Sequence, residues 1–285
     1  MSATVTLHVF SGRPNPTWIL TEAQSTELLS KVESISQISN FKPVGLSGGL
    51  GYQGFSVQYH NSPMSLFVHA GIVDTGTLVP SLISQNREIE EWLLSTAGAT
   101  VPQEARAHIE ESVAVSAGNA QKLLGGAIVT SRCPTCHAAN APAYNPGMWN
   151  VPAVQPHNNC YNYANDRITN TFAQPGRAAG HMYTAFQCAN VQAAATADGL
   201  APTPSFVAPL SAGHGYYVAL VIWPNTDFHW YRQDSIGCWS HKPGSTAVRN
   251  TDNGGNTISD PQTCNRGPYS SFCSYMITKS SVIIR

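Results

Sequence analysis

Cys160 stands in a sequence context that favours a reactive thiol. It follows Asn158 and Asn159, and the residues from Tyr161 onward are predicted to form a helix. Asparagine caps a helix by accepting hydrogen bonds from its first backbone N–H groups. The Cys160 thiol would then lie at the positive end of the helix dipole, where a thiolate is stabilised for nucleophilic chemistry. The alternative is a buried cysteine in the first turn of an ordinary helix.

Three histidines follow in a predicted β-meander. His214 lies between two glycines, directly before a run of β-branched and aromatic residues over 216–223 that predicts a buried strand. Two further strands contain His229 and His241. In a hairpin with a tight turn, His229 comes too early in its strand to reach His214, so their pairing requires a longer or bulged connection. Alternatively, His229 and His241 act as base and orienting group, or bind a metal with Cys238.

The order Cys160, His214, His229, with a hydrophobic strand after the first histidine, resembles the papain-like cysteine hydrolases. The resemblance covers residues 150–235 and is nearest to the bacterial amidases and endopeptidases that cleave cell-wall peptides. It implies an α+β fold in which a nucleophile-bearing helix packs on an antiparallel sheet. It also implies a peptide or amide as the substrate.

The resemblance further implies a role for individual side chains. His214 takes the proton of Cys160, the thiolate attacks a carbonyl carbon, and His229 orients the imidazole. Gln155 stands close to where papain-like enzymes keep an oxyanion-hole glutamine. The side chains expected to contact the oxyanion or the substrate are Gln155, Asn159, Trp230 and His241. This hypothesis requires neither a metal nor a cofactor.

Two other classes of function remain open. Cys133, Cys136 and His137 have a spacing that suits zinc ligands, which indicates a non-catalytic binding protein with a structural metal. The other class is a toxin-like effector that uses the same fold for acyl transfer or deamidation.

The seven cysteines allow two redox states. Six of them lie in polar or loop-like settings, so one expectation is three disulfides with Cys160 left free, which requires an oxidising compartment. The other is seven reduced cysteines in the cytosol. Under the first expectation, Cys133 and Cys136 are cross-linked to each other or to other cysteines.

The chain is predicted to fold as two domains. The elements predicted in its first part are a strand over 4–10, a helix opened by the capping box of Thr21 and Gln24, strands over 51–59 and 64–72, and a helix over 86–94. They define a small α/β domain over residues 1–100, followed by a helical linker over 101–132 and a papain-like catalytic domain over 133–285. The proline-rich segment 11–16, which contains Arg13, is interpreted as a turn that ends the first strand.

Composition limits the possible partners. Charged residues make up 11% of the 285 residues and the net charge is −1, with no basic run, so nucleic-acid binding is not expected. No apolar stretch is long enough to predict a membrane helix. The first residues lack the features of a secretory signal, so we expect a cytoplasmic protein, a mature form whose signal has been removed, or an effector exported without a cleavable signal. The sequence leaves the oligomeric state open.

Overall fold

The computed structural model describes residues 1–35, 49–75, 82–83, 87–116 and 132–285. By internal packing the chain divides into two compact units. The described residues of unit 1 are 1–9, 15–35, 51–75, 82–83 and 87–116. Those of unit 2 are 10–14, 49–50 and 132–285. The segment Phe10–Pro14, interpreted above as part of a turn, therefore belongs to the unit built mainly from the C-terminal half.

Unit 1 combines an antiparallel sheet with helices. Its described strands are β1 (Ala3–His8), β2 (Thr17–Leu20), β3 (Gly54–Tyr59), β4 (Ser65–His69), β5 (Ile72–Asp74) and β6 (Leu82–Ile83). They pair in the order β2-β1-β3-β4-β5-β6. Its described α-helices are α1 (Glu22–Glu33), α2 (Glu88–Thr96) and α3 (Gln103–Ser116). In β1 every second residue is buried, as the period of a strand with one covered face requires.

The helices of unit 1 begin close to where the sequence indicates. The predicted capping box of α1 is confirmed, because Thr21 Oγ1 accepts from the Gln24 N–H at 3.2 Å and Gln24 Oε1 accepts from the Thr21 N–H at 2.9 Å. The helix α3 starts inside the predicted linker 101–132 and contacts α2. It buries Ala105 and Ile109, four residues apart on one face. The residues after Val101 thus contribute to the core of unit 1 as far as Val113. The boundaries at 100 and 132 stay predictions.

Glu90 organises the interior of unit 1. Its side chain is 1% exposed and forms an ion pair with Arg87 at 2.6 Å. The two carboxylate oxygens also accept from the backbone N–H groups of Ala70 and Gly71 and from the Tyr52 hydroxyl, at 3.1, 2.9 and 2.5 Å. A buried carboxylate is stable only when its charge is compensated in this way. One side chain therefore fixes α2 to the turn between β4 and β5.

We predict that Glu90→Gln lowers the free energy of unfolding of unit 1 by roughly 3 kcal/mol or more, because it leaves the Arg87 charge buried without its partner. Urea denaturation followed by circular dichroism measures this loss. Glu91→Gln, at the neighbouring exposed position, is the matched control and should change stability by less than about 0.5 kcal/mol. Equal stability of the two variants would contradict the role given to Glu90.

Unit 2 is also a mixed unit, and the α+β class is confirmed. Its described strands are β7 (Ala201–Thr203), β8 (Tyr216–Trp223), β9 (Asp227–Gln233), β10 (Trp239–His241) and β11 (Ser271–Thr278). They form an antiparallel sheet in the order β10-β9-β8-β11-β7. Its described α-helices are α4 (Pro146–Trp149), α5 (Cys160–Ala164) and α6 (Cys188–Ala197). The predicted meander is present as β8, β9 and β10, and every residue of β8 is buried.

Helix α5 is held against β9 by a buried cation and by aromatic contacts. Arg232 is 1% exposed, forms an ion pair with Asp234 at 3.0 Å and lies 4.0 Å from the centre of the Tyr163 ring. Two residues earlier in α5, the rings of Tyr161 and Trp230 pack with their centres 5.3 Å apart. These contacts involve two positions of α5, so they fix where the helix starts relative to the sheet.

Two disulfides cross-link unit 2. They join Cys133 to Cys238 and Cys188 to Cys273, while Cys136, Cys160 and Cys264 are free thiols. The expectations of three disulfides and of seven reduced cysteines are therefore both wrong. Cys133 is cross-linked as predicted, but Cys136 is not. Two disulfides are typical of a protein that folds in an oxidising compartment. None of the described helices has the length and apolar character needed to cross a membrane.

Candidate functional site

Cys160 is the first residue of α5, and the predicted asparagine cap is confirmed. The Asn159 Oδ1 atom accepts from the N–H groups of Tyr161 and Asn162 at 3.0 and 3.1 Å. The Asn162 side chain returns a bond to the Asn159 N–H at 3.2 Å, which completes a capping box. The sequence around Cys160 therefore forms the helix start that its asparagines indicate.

The thiol of Cys160 is fully buried. Burial raises its pKa well above the usual value, and the negative charge of Asp227 acts in the same direction. Hydrogen bonds from the Ser11 hydroxyl and the Trp230 backbone, together with the Lys242 charge, act in the opposite direction but are weaker. The resting protein therefore holds a neutral thiol, although groups that would stabilise a thiolate surround it.

A chain of hydrogen bonds runs away from the Ser11 hydroxyl through two buried imidazoles. Ser11 Oγ bonds to His229 Nδ1. His229 Nε2 lies 2.9 Å from His241 Nδ1, and His241 Nε2 lies 3.0 Å from the Thr251 carbonyl oxygen. The Ser11 hydroxyl also lowers the pKa of Cys160, which associates the thiol with the first member of this chain.

The direction of this chain follows from its last acceptor. A carbonyl oxygen only accepts, so His241 Nε2 carries a hydrogen and donates to Thr251. Burial lowers the pKa of His241 to about 4 and that of His229 well below its usual value, so both rings are neutral near pH 7. His241 Nδ1 is then an acceptor and His229 Nε2 a donor. His229 Nδ1 is left as an acceptor for the Ser11 hydroxyl, which is the arrangement of a general base held by an orienting group.

The register of β9 decides which histidines meet. His229 lies opposite Val221 on β8, without the bulge that the sequence required for a pairing with His214. His214 is exposed and comes seven residues before Val221, which corresponds to roughly 23 Å of extended chain. The predicted pair of His214 and His229 is therefore not formed. The alternative holds geometrically, since His241 lies opposite Tyr231 and hence diagonal to His229 on the same face.

Two amide side chains converge on the carbonyl oxygen of Gly12. Asn159 Nδ2 donates to it at 2.7 Å and Gln174 Nε2 at 2.8 Å. Asn159 was an expected oxyanion donor, whereas Gln155 is not part of this group. The Gln155 main-chain oxygen instead accepts from Lys242 Nζ at 2.6 Å. Gln174 follows Cys160 in an irregular segment, and no local sequence signal distinguishes it.

Trp230 and His241 were expected to contact the oxyanion or the substrate, but they do not face a substrate cleft. Both are completely buried. Trp230 packs against Tyr161, and both ring nitrogens of His241 are used within the hydrogen-bond chain. Their side chains therefore support the site from inside the fold.

Asp227 is the buried charge of the site, and sequence reasoning assigned it only to a turn. Its carboxylate accepts from the N–H groups of Ser11, Gly12 and Arg13 at 2.6, 3.1 and 3.0 Å. The Tyr269 hydroxyl donates to it at 2.6 Å. Burial raises the Asp227 pKa to about 6, and these donors counteract the shift. The carboxylate is mainly ionised at pH 7 and binds the segment Phe10–Pro14.

The zinc-site alternative loses its first ligand, because Cys133 is bonded to Cys238. Within the part of the chain that the structure describes, no three His, Cys, Asp or Glu side chains are grouped so that they could bind a metal ion.

The chain was compared with known proteins. No family model matches it, and no solved structure does. Insoluble matrix shell protein 1 of Ruditapes philippinarum is 48% identical to it over 133 residues, which are 47% of this chain and 87% of that protein. An identity of this size over most of the relative shows common descent. The chain therefore belongs to the same family as insoluble matrix shell protein 1.

Proposed function

We propose that unit 2 carries a papain-like cysteine acyl hydrolase or transferase site in a closed resting state, acting on a peptide or amide. Cys160 is the nucleophile, His229 the base and His241 the orienting group. The observation that supports this most is the acceptor Nδ1 of His229, which faces a hydroxyl in contact with the thiol while Nε2 is held by His241. An imidazole with one nitrogen toward a nucleophile and the other toward an orienting acceptor is the arrangement of catalytic triads.

The reaction requires only groups of this cluster. His229 takes the thiol proton, either through the Ser11 hydroxyl or directly once Ser11 has moved away. The Cys160 sulfur then attacks the carbonyl carbon. The carbon–nitrogen bond breaks, and the imidazolium returns its proton to the leaving amine. Water, or an acceptor amine, then attacks the thioester and releases the acyl group, with the thiol restored. Asn159 and Gln174 donate to the oxyanion in the way they now donate to the Gly12 carbonyl.

The closed state has a physical cause. The segment Phe10–Pro14 is bound beside Cys160, since the Gly12 carbonyl accepts from Asn159, the residue before Cys160 in the chain, and burial keeps the thiol pKa high. Displacement of this segment would hydrate Cys160 and Lys242, whose own pKa is lowered by burial to about 7. Hydration favours the charged form of each group, so thiolate and ammonium would stabilise one another. Opening the site and activating the nucleophile are thus the same event in this proposal.

A second candidate is a structural component of an extracellular matrix. It is supported by the name of the relative, which describes an insoluble protein of shell matrix, and by the two disulfides of unit 2. In that function the cluster around Cys160 stabilises the fold and performs no chemistry. Turnover of any amide substrate separates the two candidates.

We expect Cys160→Ser and His229→Gln to reduce hydrolysis of fluorogenic peptide amides by about 10³-fold or more, because they remove the nucleophile or its base. His214→Gln is the control, as His214 is exposed and outside the hydrogen-bond chain, and its rate should stay within about twofold of the parent. Steady-state rates on a peptide-amide library measure the effect. Full activity in Cys160→Ser would overturn the assignment, and absence of turnover in every form would favour the matrix function.

The neutral state of the imidazoles predicts a specific loss of stability in acid. His241 has a pKa of about 4 in the folded protein and about 6.5 when unfolded, so only the unfolded chain gains its proton between these values. Stability from His241 is therefore present above pH 6.5 and falls by about 3 kcal/mol as the pH drops to 4. Asp227, with its raised pKa, contributes the opposite slope between about 4 and 6.

His241→Asn isolates the histidine contribution, since asparagine can accept from His229 and donate to Thr251 without titrating in this range. Urea unfolding of the parent and variant at pH 6.5 and pH 4 gives the difference in slope. The variant should lose about 3 kcal/mol less than the parent over this interval. Identical slopes would mean that the pKa of His241 is not lowered in the folded protein.

A further inference from the structure

The segment Ser11–Arg13 is bound in unit 2 through its backbone, as a peptide ligand would be. The N–H groups of all three residues donate to one carboxylate, that of Asp227. The central carbonyl oxygen, that of Gly12, accepts from two amide side chains. Three consecutive N–H groups can converge on one carboxylate only where the chain is bent, as it is at Ser11–Arg13. This recognition also excludes proline at the three positions, because proline has no N–H to donate.

The middle position of this segment accepts only glycine. A Cβ atom on Gly12 would lie 2.5 Å from the carbonyl oxygen of Phe228 and equally close to its ring. The clash involves backbone of β9, which the sheet holds in place, so the neighbour cannot yield cheaply. A chain that binds here must therefore carry glycine at the position that Gly12 now occupies.

The flanking positions are selected by side-chain chemistry. The Ser11 hydroxyl fits between the Cys160 thiol and His229 Nδ1, where a small hydrogen-bonding group is required. The Arg13 guanidinium lies 5.2 Å from the centre of the Phe186 ring, and its Nη1 donates to the Thr226 carbonyl at 3.3 Å. Aromatic faces and carbonyl oxygens attract a planar cation.

We propose that the cluster around Cys160 is a binding site for peptides that form a bend with the sequence small polar residue, glycine, arginine, and that Phe10–Pro14 is its resident occupant. The proposal rests on the proposed function in that it names the substrate class of the same site. A polypeptide that presents this sequence competes with the resident segment for Asp227, Asn159 and Gln174. A chain lacking the glycine does not compete.

The test uses the full-length chain with the resident segment weakened. Gly12→Ala introduces the clash with Phe228, and Gly147→Ala is the matched control, because a Cβ at Gly147 has its nearest neighbour 3.7 Å away. Iodoacetamide labelling of Cys160, followed by peptide mapping, reports access to the site, with Cys136 and Cys264 as internal references. We expect Cys160 to be labelled at least about tenfold faster in Gly12→Ala than in the control, which corresponds to about 1.4 kcal/mol.

Addition of the peptide acetyl-Phe-Ser-Gly-Arg-Pro-amide to Gly12→Ala should restore slow labelling. The same peptide with alanine in place of glycine should not protect. Near-ultraviolet circular dichroism checks that the variant is folded. If Gly12→Ala does not fold, Arg13→Ala serves instead, since it removes only the guanidinium contacts and leaves the backbone bonds to Asp227, and it should show a smaller acceleration of the same kind.

Equal labelling rates in Gly12→Ala and Gly147→Ala, with both folded, would overturn the proposal, as would equal protection by the two peptides. The outcome is separable from that of the proposed function. Selective protection without any amide turnover supports the binding site and contradicts the hydrolase. Turnover of amides with equal protection by the two peptides supports the hydrolase and contradicts the binding site.

Discussion

The buried carboxylate of Asp227 is the constraint on which the rest of unit 2 depends. A charge with no access to water must be satisfied by donors inside the protein. Three of its donors are consecutive N–H groups of Ser11–Arg13, and the fourth is the Tyr269 hydroxyl. One side chain at the start of β9 therefore joins a segment from the first fifteen residues to a loop near the C-terminus. It also positions the Ser11 hydroxyl relative to the Cys160 thiol and the His229 imidazole.

The hydrogen-bond chain that begins at this hydroxyl has a single direction because it ends at a backbone carbonyl. The order of donors assigns a single tautomer to each neutral ring, with the hydrogen on Nε2 in both His241 and His229. Neutral imidazoles, a neutral thiol and an ionised carboxylate then coexist in one dry cluster. Under the proposed function, the neutral thiol and neutral imidazoles are the inactive state of the site. This state differs from the thiolate–imidazolium pair that an open cysteine enzyme maintains.

Local sequence was enough to predict several elements and their caps, but it missed β2, β7, β11 and α6 and did not predict the assembly. The Asn159 cap, the capping box of α1 and the meander that carries His229 and His241 all depend on neighbours within a few residues. Ser11 meets Asp227 across 216 residues and Gln174 meets Gly12 across 162, and no periodicity reports such contacts. The flanking glycines favoured His214 as the base. The tight turn of the β8–β9 hairpin, however, sets a register in which His229 lies opposite Val221 and not close to His214. The disulfide partners were equally hidden, since the cysteine spacings allow many pairings.

The two disulfides overlap along the chain, and this overlap has a consequence for durability. One bond spans 105 residues from Cys133, the other spans 85 residues from Cys188, and the intervals share the stretch between Cys188 and Cys238. A single break of the backbone at any point between Cys133 and Cys273 therefore leaves two pieces that are still joined covalently. A protease that makes one cut in this stretch therefore releases no part of it.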